Sequence, residues 1–277
     1  MRKEYTHFVP ESDLACERRR ADTSVSGVEF KKEKTRVGTW ERIRIFSKEG
    51  AESIGRPIGQ YDTLNLGRMD LMDIDEVEDA KDEIAKELCL MCDLSSIDPS
   101  KILVVGLGNQ SLTPDAIGAE AAITVEATRH IRKYDPSLFS AMECSEISVV
   151  IPGVYANSGI DTADIVQAIT KEISPTLIFA IDALASKAPE RLGTTVQISN
   201  TGIFPGSGLG HGRKAINEST TGTPVIAIGV PTIIDSRLFC GTKSSDNELF
   251  VSPKDIHLVV KNAARIIGGG INQAFGM

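Results

Sequence analysis

The chain has 277 residues, of which 41% are hydrophobic and 25% are charged, which is ordinary for a globular protein with a buried core. A formal net charge of −8 argues against a protein that binds nucleic acid through a basic surface, and 5% aromatic residues are too few for a platform that stacks single-stranded bases. No apolar run reaches the roughly 18 residues of a membrane span. We therefore expect no direct contact with nucleic acid or membrane.

The start of the chain and its cysteines indicate the compartment. The first residues are polar and lack the apolar segment of a secretory signal. Five cysteines are an odd number and sparse for this length, so we expect reduced thiols in a cytoplasmic protein. Cys89 and Cys92 have the spacing of half a zinc site, but no second Cys or His pair follows, and we interpret both as core residues of a helix.

Strands and helices alternate along the chain. Segments 102–105 and 177–181 are uninterrupted apolar runs rich in β-branched residues, which is typical of parallel strands buried on both faces. The predicted elements, in chain order, are strands 40–46 and 59–66, helix 76–90, strand 102–105, helix 116–133, strand 147–151, a helix capped by Asp161 or Thr162 that ends at 173, strands 177–181, 195–199 and 224–230, and a last helix with Ser252 as its cap and Pro253 at its first position. This order predicts a single α/β domain with a mostly parallel sheet and helices on both faces.

Two aspartates follow the two buried strands. Asp115 comes after strand 102–105 and a short loop, and Asp182 comes directly after strand 177–181. The carboxyl ends of parallel strands form the crevice in which open α/β sheets bind ligands. Two carboxyl groups that face each other there can share one proton, which suits them to activate water. For Asp115 the alternative is a structural cap of the helix that begins at Ala116.

A glycine-rich loop follows strand 195–199. Residues 201–214 contain five glycines and end in Arg213 and Lys214. Glycines allow backbone amides to approach a ligand closely or to bind an extended peptide, although a long surface turn has the same composition. We predict that this loop binds substrate through Gly206, Ser207, Gly208 and His211.

Several motifs resemble the germination protease family of spore-forming bacteria. They lie at 104–109, 113–118, 151–154, 180–186, 194–199, 201–208, 225–232 and 251–255. The resemblance covers nearly the whole chain, and it is most specific around Asp182 and at 205–208.

This resemblance implies an endopeptidase that degrades small acid-soluble spore proteins during germination. It implies a homotetramer with a fold similar to hydrogenase maturation peptidases, acting in the forespore or spore core. The motifs that carry the family's two proposed catalytic aspartates fall on Asp115 and Asp182. We expect no cofactor, since the histidines do not form a clustered metal-binding motif such as HExxH.

The resemblance also implies a zymogen. The family prefers to cut after glutamate and before an apolar residue followed by alanine, and Glu11 to Ala15 offers a run of that kind. We predict a propeptide at 1–15 and a peptidase domain at 16–277, with the cut at or just before Leu14. The polarity of this segment predicts that it lies outside the core, unless Leu14 and Ala15 are the first ordered residues of the mature fold.

Two alternatives remain open on sequence alone. A hydrogenase-maturation-type peptidase would need a histidine near both aspartates. An inactive relative that only binds spore proteins is the other alternative, because Phe204 stands where the family usually has histidine.

Overall fold

One mixed β-sheet runs through the protein. A computed structural model describes residues 12–18, 25–205, 214–240 and 249–276, except for the side chains of 239 and 240. Within these residues the strands are β1 (Val28–Lys34), β2 (Thr39–Ile45), β3 (Gly59–Asn65), β4 (Lys101–Gly106), β5 (Glu146–Val150), β6 (Leu177–Ser186), β7 (Thr195–Ser199), β8 (Val225–Asp235) and β9 (Phe250–Val251). Their order across the sheet is β1-β2-β3-β7-β8-β6-β4-β5, with β9 paired to β8.

The sheet has a parallel part and an antiparallel part. Strands β8, β6, β4 and β5 are parallel neighbours, whereas β1, β2, β3 and β7 continue the sheet in antiparallel pairs up to β8. The prediction of a mostly parallel sheet is therefore wrong. Strands β1 and β2 are joined by a turn too short for a crossover, so they can only pair antiparallel. Strand β1 also lies in a charged segment whose pattern predicted no strand.

Helices cover both faces of the sheet, as predicted. They are α1 (Ala15–Arg18), α2 (Lys48–Ile54), α3 (Ile74–Ser95), α4 (Ile117–Ile123), α5 (Arg129–Tyr134), α6 (Pro136–Met142), α7 (Tyr155–Ser158), α8 (Thr162–Ile173), α9 (Glu218–Thr221), α10 (Arg237–Cys240) and α11 (Ile256–Phe275). Helices α3, α4 and α11 share one core with the sheet, in which the rings of Phe179 and Phe275 pack against each other at an interplanar angle of 33°. Helix α8 packs on the opposite face through Ala163 and Val166. Within the described part of the chain, no helix is long and apolar enough to cross a membrane.

Two predicted helices differ from the observed ones. The predicted helix 116–133 is divided into α4 and α5, because Thr124 donates its hydroxyl to the carbonyl oxygen of Ala121 and ends the first helix. Thr128 then binds the backbone of strand β5 through its hydroxyl group. The last helix begins at Ile256 and not at Pro253, with Asp255 at its N-cap.

Strands β6 and β8 extend beyond their predicted ends. Strand β6 continues through Asp182 to Ser186, so Asp182 lies inside its own strand and not at its end. Strand β8 passes Pro231, which ordinarily ends a strand. The register shifts between Leu184 and Ala185 opposite this proline, and such an irregularity accommodates a residue without a backbone N–H.

Candidate active site

The unequal lengths of neighbouring strands create the crevice. Strand β4 ends at Gly106, which pairs with Ile181 of β6, whereas β6 and β8 continue. Asp182 is therefore the first residue of β6 beyond the end of β4. Its side chain is 6% exposed, and one carboxyl oxygen accepts the N–H of Ala183 at 2.9 Å. A carboxyl group thus lies at the carboxyl edge of the parallel strands, where such sheets bind ligands.

Asp115 reaches the crevice from the loop after β4. It ends a 3-10 turn, Thr113–Asp115, and its carboxyl oxygen accepts the N–H of Asn109 at 2.8 Å. Gly108 lies under this turn with a φ of 94°, and a Cβ atom there would lie 2.0 Å from the carbonyl oxygen of Asp115. Only glycine satisfies both conditions. The N-cap of α4 is Ala116 without a side-chain hydrogen bond, so the alternative role of Asp115 as helix cap is wrong.

Asp115 and Asp182 line one cavity of about 520 Å³. Apolar side chains form much of its wall, among them Leu107, Leu112 and Leu184. Apolar walls with a few polar groups are typical of ligand sites. The two aspartates that the sequence selected are thus brought to the same space, and their catalytic role stays a prediction.

The predicted substrate loop borders the same cavity. Phe204 and Pro205, in the described part of the loop, line the cavity wall, and Ile203 pairs with Ile216. Gly206, Ser207, Gly208 and His211 lie outside the described residues. Their role in binding substrate stays a prediction.

The cavity wall also contains polar residues that were not selected from the sequence, among them Asp13, Arg56 and Gln197. Gln197 is the one that a sequence signal could have indicated, since it is a polar residue inside the predicted strand 195–199. It is 8% exposed, and a buried amide without partners is costly. Asp13 and Arg56 carry no such signal, because both lie in polar segments.

The N-terminal segment 12–18 packs against strands β6 and β7, and its Asp13 lines the same cavity. The backbone N–H of Asp13 donates to the carbonyl oxygen of Ala185 at 2.9 Å, and its carboxylate accepts the N–H of Ala185 at 2.9 Å. Ser12, Leu14 and Ala15 are completely buried. The prediction that this segment lies outside the core is therefore wrong for these residues, because Leu14 packs into the core under α8.

Burial changes the acidity of two further cavity residues. The pKa of Arg56 is lowered, first by burial and then by the nearby charge of Arg18. Burial also raises the pKa of the Tyr61 phenol. In the part of the chain that the structure describes, no group of three or more His, Cys, Asp or Glu side chains is placed to hold a metal ion.

Comparison with known proteins gives the family. The family model described as germination protease matches residues 8–247, a range that includes Asp115, Asp182 and the whole glycine-rich loop. The chain belongs to the germination protease family. The resemblance seen in the sequence is thereby confirmed, and the protein is a peptidase.

Curated germination proteases match most of the chain. The one from Caldanaerobacter subterraneus subsp. tengcongensis is 34% identical, over 95% of this chain and 93% of the relative. That of Clostridium acetobutylicum is 32% identical over 84% of this chain and 83% of the relative. That of Priestia megaterium is 39% identical over 82% of this chain and 62% of the relative.

Proposed function

We propose that this protein is an endopeptidase that degrades small acid-soluble spore proteins during germination, with Asp115 and Asp182 as its acid/base pair. The observation that carries the proposal is that both aspartates, from different segments of a chain in the germination protease family, line one cavity. Such a pair needs no cofactor, because the two carboxyl groups and a water molecule supply every proton transfer of peptide hydrolysis.

In this mechanism the two carboxyl groups share one proton. The ionised carboxylate removes a proton from water as the water oxygen attacks the carbonyl carbon of the peptide bond. The protonated partner polarises the carbonyl group and then gives its proton to the leaving amine when the C–N bond breaks. Asp115 and Asp182 are each oriented by a backbone N–H, from Asn109 and Ala183 respectively, so their positions do not depend on the substrate.

The rim of the cavity suits a peptide with apolar side chains. Leu112, Phe204 and Phe250 line the cavity and are 54%, 39% and 37% exposed. Large apolar side chains that remain exposed around a cavity are typical of a binding surface. They would hold the apolar residues of an extended spore protein while the backbone lies across the aspartates.

The finer properties expected from the sequence belong to the same proposal. We infer that the chain is made with a propeptide at 1–15, that 16–277 is the peptidase domain, and that it acts as a homotetramer in the spore core on a fold similar to hydrogenase maturation peptidases. Self-processing is supported by the position of Asp13, which lines the same cavity as Asp115 and Asp182.

The direct test is digestion of a purified small acid-soluble spore protein. We expect discrete fragments whose masses identify a small set of cleaved bonds, and we expect the same fragments after exhaustive chelation. Binding of the spore protein without fragments would indicate an inactive relative instead. Loss of cleavage in chelator, restored by zinc or nickel, would indicate a metallopeptidase.

A further inference from the structure

Gln197 and Asp182 stand at the same level of the sheet. Both pair with Gly229, which lies on the strand between them. Residues paired across strands project from the same face, so both side chains point to the side on which the cavity lies. Their Cα atoms are roughly 10 Å apart, twice the spacing of neighbouring strands.

The apolar side chain of Leu184, which packs over Gly229, lies between these two polar side chains. A Cβ atom at Gly229 would lie 2.5 Å from Cγ of Leu184, so the side chain of Leu184 takes the place that another residue would fill. Leu184 and Gly229 both line the cavity. A peptide backbone can therefore lie over Leu184 with Gln197 on one side and Asp182 on the other.

The amide of Gln197 already holds a peptide backbone. Its Nε2 donates to the carbonyl oxygen of Asp13 at 3.2 Å, and its Oε1 accepts the N–H of Ala15 at 2.8 Å. The amide thus binds two peptide groups of the same backbone, one on each side of Leu14, through one donor and one acceptor. On the other side, Asp13 is bonded to Ala185 of β6.

We propose that Gln197 is a third catalytic residue, which holds the backbone of the substrate as it holds residues 13–15. Its Nε2 donates to the carbonyl oxygen of the residue before the cleaved bond. Its Oε1 accepts the N–H of the second residue after that bond. The inference rests on the proposed function and on a cut between Asp13 and Leu14.

The contribution of Gln197 follows from the charge that develops during hydrolysis. When the oxygen of water bonds to the carbonyl carbon, negative charge moves to the carbonyl oxygen. A fixed amide donor in a buried site stabilises this charge without giving up its proton. The proton of water goes to one aspartate and the amine receives its proton from the other, so Gln197 is unchanged at the end.

The first test compares Gln197→Leu and Gln197→Glu with Gln167→Glu as a matched control. Gln167 lies on α8 and donates to the carbonyl oxygen of Thr220, away from the cavity. Removal of one such donor lowers kcat by roughly 100- to 1,000-fold. We expect this loss in both Gln197 variants and not in the control. A Gln197→Leu variant whose kcat stays within about threefold of the wild type would overturn the inference.

The second test separates contact with the substrate from a structural role of Gln197. Two peptides are compared that differ only in the bond joining the first and second residues after the cleaved bond. In one peptide this bond is an amide, and in the other it is an ester, which lacks the N–H that Oε1 accepts. Loss of one such hydrogen bond lowers kcat/KM by about tenfold.

We expect the wild type to cleave the ester peptide with a kcat/KM about tenfold lower than that of the amide peptide. In Gln197→Leu the two peptides should have almost the same kcat/KM, since that variant lacks the acceptor for this N–H. A penalty that persists in Gln197→Leu, or that is absent in the wild type, would overturn the inference while leaving the peptidase function standing. A wild-type protein that cleaves neither spore protein nor the amide peptide would overturn the proposed function and this inference together.

Discussion

Asp115 and Asp182 are held in place by the same kind of contact. Each carboxyl group accepts a backbone N–H from a residue close in sequence, at 2.8 Å for Asp115 and 2.9 Å for Asp182. An asparagine at either position retains an oxygen that can accept this bond, and it has nearly the same shape. Because asparagine cannot take up a proton from water, the substitution removes the acid/base function of the residue and retains the local structure.

We therefore expect Asp115→Asn and Asp182→Asn each to lower kcat for spore-protein cleavage by at least about 1,000-fold. The melting temperature should stay close to that of the wild type. Asp164→Asn is the matched control, since Asp164 lies on the surface of α8 in an ion pair with Lys214. Near-normal turnover in either single variant would rule out the aspartate pair.

The turn that carries Asp115 depends on Gly108. We expect Gly108→Ala to abolish cleavage and to lower the free energy of unfolding, because its Cβ atom would collide with the Asp115 carbonyl oxygen. Gly67→Ala is the control. Gly67 has a φ of 80°, and no atom of the described residues lies within 4 Å of the position that a Cβ atom would take there, so this variant shares the backbone strain without the collision.

The difference between these two variants measures the collision alone. Overpacking of this kind costs about 1–3 kcal/mol beyond the strain that both variants share. Chemical denaturation gives the free energies of unfolding, and spore-protein digestion gives the activities. Equal stability and activity in the two variants would show that Gly108 does not hold the turn.

At the level of elements, helix α3 is joined to the antiparallel strands by a buried charge cluster. Arg42 of β2 donates to Glu87 of α3 at 2.5 Å and lies 3.2 Å from Asp62 of β3. Asp62 also accepts a hydrogen bond from Gln60, and its other carboxyl oxygen is buried without a partner within the described residues. Glu33 lies 3.3 Å from the same guanidinium, so three carboxyl groups face one cation. Burial, followed by the neighbouring Glu87, raises the pKa of Asp62 to about 7.

This raised pKa predicts a pH dependence of stability. Between the ordinary aspartate pKa of 3.8 and about 7 the folded protein holds a proton on Asp62 that the unfolded chain releases, so stability is lost as pH rises through this range. Asp62→Asn should abolish this loss, since an amide does not titrate. Urea denaturation of both proteins from pH 4 to pH 8 measures the difference.

Asp79→Asn is the control for Asp62→Asn, because Asp79 lies on α3 like Glu87 but pairs with Arg36 nearer the surface. It should leave the pH dependence unchanged. If the difference in the free energy of unfolding between the wild type and Asp62→Asn is constant from pH 4 to pH 8, the raised pKa of Asp62 is contradicted.

At the level of the whole molecule, the N-terminal segment links the two parts of the sheet. Asp13 contacts Ala185 on the parallel side and Arg56 before β3, whose guanidinium lies 3.6 Å from the Asp13 carboxylate. Leu14 is completely buried, and exposing it costs about 2 kcal/mol. A cut at Leu14 requires Asp13 to be released from Ala185 and Arg56 first.

We expect this release in mildly acidic conditions, which weaken the ion-pair contacts that hold the segment in place. The purified protein should then shorten by roughly a dozen residues, with a new N-terminus at or next to Leu14, as mass spectrometry would show. Asp182→Asn should keep its full length at the same pH. If the N-terminus stays intact in a sample that still digests spore protein, the proposed zymogen processing is contradicted, whereas the proposed peptidase activity is not.

Local pattern was sufficient for much of the fold. Strand β7 and helix α8 have the predicted bounds, and Asp161, one of the two predicted caps, caps α8. These features were predictable because alternation, helical spacing and capping depend on neighbours in sequence. The buried strands that precede Asp115 and Asp182 were predictable for the same reason. The family resemblance, which lies in short motifs, was likewise accessible from the sequence and is confirmed.

Tertiary structure decided the features that depend on distant partners. The pairing of β3 with β7 and the passage of β8 through Pro231 follow from pairing with strands far away in sequence. The placement of Gln197 in the same cross-strand row as Asp182 has the same origin, since both pair with Gly229 of β8, and Asp13 reaches this row through its hydrogen bond with Gln197. By itself the sequence determined the two aspartates and the family, because the motifs that indicate them are short runs of consecutive residues. The position of Gln197 in the cavity and the packing of segment 12–18 against β6 and β7 were decided by tertiary contacts, which no local pattern contains.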